Sequence, residues 1–138
     1  MNLTRLIVFG SIAVVVFDVI ASIASMVLSV PYASFSIGSI LIYAVAGYVA
    51  ARLKPLHFSA WVGGLIGLVD ATIGWAISWK IGPGKIEDLP DATTISSTAG
   101  AISLVVFTII FAVIFATICG LIGGLVAKLK NKLAHNNA

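Results

Sequence analysis

Charge is scarce in this chain. Eight basic and five acidic residues stand among 138, while 60% of the residues are hydrophobic. A water-soluble globular domain carries about 25% charged residues, so that class is excluded. Cysteine is nearly absent: Cys119 stands alone inside an apolar run, which rules out an intrachain disulfide and leaves a small packing residue. The two histidines, His57 and His135, fall at or beyond the edges of the apolar runs, so no buried pair is available to clamp haem, and their spacing does not suit a metal. No lysine lies inside a run to form a buried Schiff base. The histidines are also remote from the buried acids, which argues against Ser-His-Asp or Cys-His chemistry. A non-enzyme without cofactor or bound metal is the expectation.

What the chain has in abundance is long apolar runs. A hydrocarbon core of about 30 Å needs roughly 20 helical residues, and four runs reach that length: residues 6–30, 34–53, 59–79 and 98–127. The expected fold is an all-α integral membrane protein, one domain over 1–138, with four transmembrane helices arranged as two hairpins. The first run exceeds the apolar core of a secretory signal and is read as a retained helix. Pro31 ends it, and Tyr32 reads as an interface residue.

The net charge of +3 collects at the ends of these runs, which leaves nucleic-acid binding without support and makes the lipid bilayer the principal partner. Arg5, Arg52, Lys54, Lys128, Lys130 and Lys132 fall on one side, Lys80 and Lys85 on the other. The positive-inside rule then places both termini in the cytoplasm, as in a prokaryotic inner-membrane protein. Residues 80–97 become an external loop and 128–138 a basic cytoplasmic tail. Glu87, Asp88 and Asp91 in that loop carry oxygens suited to hard cations, but three acids in a polar loop are ordinarily just solvated.

Against this background two acids stand out. Asp18 and Asp70 each sit in the middle of an apolar run, where an ionised side chain costs about 2.5 to 3.5 kcal/mol on insertion scales. In helical register Asp18 shares a face with Ser11, Ser22, Ser25 and Ser29, and Asp70 with Gly63, Gly67, Gly74 and Ser78. No basic residue lies mid-run to neutralise either acid. Their partners must be hydroxyls such as Ser22, Tyr43, Thr72 or Thr108, a shared proton, water, or a group from another chain. Asp18, Asp70, Ser22, Tyr43 and Thr72 are therefore the candidate ion- or proton-binding residues. Each acid can equally be protonated and structural, holding helices together by hydrogen bonds.

Small residues form the other pattern. Gly63, Gly67 and Gly74 in the third run, and Ala112, Ala116, Gly120 and Gly124 at every fourth position of the last, permit close helix crossings. The run Gly47 to Lys54 can be set against Gly123 to Lys130, which suggests a parallel internal repeat of two hairpins. Asp18 and Asp70 would then reach similar depths near the midplane. These features favour a small proton- or cation-linked transporter or channel. Because four spans are few for enclosing a path, a homo-oligomer is expected. The alternative is a non-catalytic accessory or assembly subunit of a larger membrane complex, whose partners supply basic groups to the acids.

Overall fold

The computed structural model describes residues 2–81 and 98–136, and every element in it is helical. The loop acids Glu87, Asp88 and Asp91 lie outside the described residues, as does most of the expected external loop. Helix α1 runs Leu3–Leu28. Asn2 caps it by accepting the Arg5 N–H at 2.9 Å. The helix stops two residues short of the expected end because Ser29 turns left-handed (φ 51°, ψ 38°), with its N–H returning to Ser25 O, and Pro31 cannot continue it.

A 3-10 turn, Tyr32–Phe35, leads directly into α2, Ser36–Leu53. Lys54 is extended (φ −147°), as a residue before proline prefers, and this ends α2. The path then returns as α3, His57–Val69, a π-helical turn, Asp70–Gly74, and α4, Trp75–Ile81. The expected third span is thus interrupted at Asp70. The last helix, α5, runs unbroken over Thr98–Asn136, so the basic tail continues the helix through residue 136. Among the described residues, three helices are long and apolar enough to cross a membrane: Leu3–Leu28, Tyr32–Leu53 and Ile102–Ala134.

The packing inverts that of a soluble bundle. Large apolar side chains such as Phe9, Val27, Ile37, Phe107 and Leu129 point outward, whereas the fully buried set includes Asp18, Ser22, Ser25 and Ser59 beside Val14, Val62 and Ile66. An apolar surface this continuous is stable against lipid tails and not against water. The fold is accordingly a helical bundle compatible with a membrane.

Helix α1 packs on α2, α3, the π turn and α4, and α5 packs on α2, α3 and the π turn. Closest approach occurs where side chains vanish. A methyl group at Gly47 would overlap Gly120 O and lie 2.6 Å from Gly120 Cα. Gly63 faces Ala116 and Gly120, Gly67 faces Ala112 and Ala116, and Gly124 faces Ser59. Ser59 Oγ donates to Gly47 O at 2.8 Å, tying α2 to α3 at the same level.

Candidate functional site

A helix rises about 1.5 Å per residue, so Asp18, ten residues before Leu28, lies roughly 15 Å below the Pro31 end of the bundle. It has no exposed surface. Asp70 opens the π turn at a comparable depth, and the two carboxyl groups meet within hydrogen-bonding reach. Gly74 makes room for the meeting: a methyl there would collide with Asp18 Oδ2 and sit 2.8 Å from Asp70 Oδ1. Two parallel strands of helix, α1 and the broken α3–α4 path, thus bring together acids 52 positions apart in the chain.

Each carboxyl has one tyrosine donor. Tyr32 OH donates to Asp18 Oδ1 at 2.8 Å, reaching inward from the 3-10 turn, and Tyr43 OH donates to Asp70 Oδ2 from α2. Among the described residues the opposing Asp18 Oδ2 has no donor other than a proton shared with the neighbouring Asp70 carboxyl, and Ser22 Oγ one turn further along α1 has no partner. Both residues are wholly buried. An unpaired polar atom at such a position costs about 1 to 3 kcal/mol, so its retention calls for an explanation at the site.

The π turn has a local cause. Thr72 Oγ1 donates back to Leu68 O at 2.7 Å and to Val69 O at 3.3 Å, competing with the backbone ladder, and Gly74 closes the turn without a side chain. Single-turn π segments of this kind frequently mark functional sites. The same hydrogen bonds hold Thr72 on the exposed side, so it does not join the acids. Thr108 likewise bonds to its own helix, at Leu104 O. Ser25 caps the end of α1 through Val30 O at 2.6 Å, Ser11 is half-buried, and Ser29 is exposed in the left-handed cap.

A cavity of about 250 Å³ opens beside the acids, between the 3-10 turn, α2 and α5. Asp70 and Tyr43 lie at its inner end, and Tyr32, Phe35 and Ser36 line its outer part. Beyond the acids, toward the Pro55 end, the interior is filled by Val14, Val62, Ile66, Ala50 and Ala116, none with measurable exposure. The small-residue crossings at Gly47, Gly63 and Gly120 close that end further. Among the described residues, access from the Pro55 end is therefore closed.

Of the candidate residues, the structure gathers Asp18, Asp70, Tyr43, Ser22 and Gly74 at one place, and sets Gly63, Gly67, Ala112, Ala116, Gly120 and Gly124 along the α3–α5 crossing. Tyr32, read from the sequence as an interface residue, and Ser59 are absent from the expected site. Tyr32 lies past the end of its helix, 14 positions from Asp18, where no helical periodicity connects them. Ser59 carried no mark beyond its position at the start of a run. No protein-family model matches the chain, and comparison with curated proteins and with solved structures likewise finds no match.

Proposed function

We propose that this protein is a small polytopic, non-catalytic membrane protein that takes up a proton or cation at the Asp18–Asp70 pair in the course of transport. The observation carrying this reading is the contact of the fully buried Asp18 carboxyl with the half-buried Asp70 carboxyl, with one Asp18 oxygen left without a donor among the described residues. Two full negative charges about 4 Å apart repel by about 4 kcal/mol even at an effective dielectric constant of 20, so the arrangement favours a bound positive charge. The π turn supports the same reading, because single π turns within helices frequently mark functional sites. Closure at the Pro55 end suits a carrier that exposes its site alternately rather than a permanently open channel.

In this reading the α3–α4 path is a fourth crossing, both termini are cytoplasmic in a prokaryotic inner membrane, and the two acid-bearing helices are counterparts in a parallel repeat. The sealed Pro55 end of the single chain is the reason to invoke a homo-oligomer. The test is flux through reconstituted protein: acid-dependent proton or cation flux in wild type, lost in Asp18→Asn/Asp70→Asn. Equal background-level flux in both would end the proposal. The unpaired Asp18 Oδ2 also favours a second reading, an assembly subunit whose partner supplies a basic group. Purification in mild detergent as a lone homomeric species would count against it.

A further inference from the structure

The cavity beside the acids has an unusual lining. Phe17, Tyr32, Phe35, Tyr43, Phe111 and Phe115 border it, and among the described residues Asp70 is its one carboxylate. A site for a hydrated inorganic ion would present several oxygens. Here Ser36, Ser39, the two tyrosine hydroxyls and Asp70 are set among aromatic rings, and both hydroxyls are already donated to the acids. Aromatic faces and a single counter-charge are the chemistry that recognises an organic ammonium, through the ring quadrupole on its alkyl groups and the carboxylate on its charge. We infer that the cavity binds a small alkylammonium cation, with Asp70 as its counter-charge and the aromatic rings as its walls.

This inference rests on the proposed reading of the acid pair and names the class of cation. Size narrows it. Ordinary ligand pockets begin at about 300 Å³, so a cavity of about 250 Å³ takes an ammonium with short alkyl arms and rejects a large planar dye. Access follows from the outer part of the cavity: a cation that enters past Tyr32, Phe35 and Ser36 reaches Asp70 at the inner end, while Phe111 and Phe115, 61% and 41% exposed, separate the cavity from the lipid around α5. The unpaired Asp18 Oδ2, buried behind Asp70, is a second acceptor in contact with the first, so a proton moved to Asp18 leaves Asp70 free to hold the ammonium. Binding the cation and redistributing a proton are thereby linked at adjacent oxygens.

The experiment is equilibrium dialysis of the purified full chain in detergent against tetraethylammonium, with potassium as the inorganic comparison. Wild type binds tetraethylammonium about tenfold or more tightly than potassium, and Asp70→Asn weakens it by about tenfold or more. Phe111→Leu keeps the apolar volume but removes a ring at an exposed position where folding is not at stake, and weakens tetraethylammonium several-fold while leaving potassium unchanged. Tetraethylammonium binding no tighter than potassium, or equally tight in both variants, overturns the inference. If that occurs while reconstituted protein still shows flux dependent on Asp18 and Asp70, the organic-cation class alone is wrong. If the acid-dependent flux is missing too, the underlying reading falls with it.

Discussion

Replacing Gly47 with alanine tests a backbone-to-backbone helix crossing, that of α2 against α5. The added methyl would overlap Gly120 O and lie 2.6 Å from both Gly120 C and Cα, where ordinary contact begins at 3.4 Å. All three atoms are backbone, so no side chain can rotate away. The α2 and α5 axes must separate by about 1 Å, a gap at which the neighbouring small-residue contacts lose a quarter to a half of their dispersion energy. Overpacking of this kind costs about 1 to 3 kcal/mol, and in lipid no hydrophobic gain between helices offsets it. The separation also lengthens the bond from Ser59 Oγ to Gly47 O, now 2.8 Å. Thermal unfolding in detergent, followed by circular dichroism, reads the loss. Val45→Ala is the control, since Val45 is 61% exposed on the opposite face of the same helix. Gly47→Ala unfolding at the same temperature as Val45→Ala would refute the backbone-to-backbone crossing.

Three further outcomes follow from the same geometry. Tyr32→Phe leaves Asp18 without its donor and lowers stability by about 1 to 2 kcal/mol, measured by the same unfolding assay; no change would mean that the hydroxyl does not reach the acid. Thr72→Val removes the hydroxyl that competes for the Leu68 carbonyl, so the π turn relaxes toward regular α-helix and acid-dependent flux falls although Thr72 itself does not reach the acids; unchanged flux would show that the turn does not depend on this hydroxyl. Ser59→Ala weakens the α2–α3 contact by about 0.6 kcal/mol, the average for a hydrogen bond between membrane helices, and combined with Gly47→Ala shows a non-additive effect in a double-mutant cycle.

The acid pair shows how far local pattern carries. Asp18 and Asp70 were conspicuous because burial in an apolar run is costly for any carboxyl, and the glycines of the third run implied that Asp70 faced protein. Their meeting could be anticipated only as similar depth. That they touch depends on Gly74 and on the π turn, and a π turn leaves no periodic mark, since it arises where Thr72 competes for the Leu68 carbonyl. Tyr43 was nameable because it interrupts a small-residue face. Tyr32 read only as an interface residue, because its partner lies across a turn rather than along a helix.

Sequence alone determined the helical character, the apolar lengths, the small-residue strips and the two buried acids, because each follows from short-range periodicity or from the cost of placing charge in hydrocarbon. The tertiary structure decided which strip meets which: Gly47 against Gly120, Gly63 against Ala116, and Asp18 against Asp70 across Gly74. Those pairings depend on how deeply each helix sits and how it is rotated against its neighbours. A turn at Ser29 and a single widened coil at Asp70 set both, and they act on residues far along the chain.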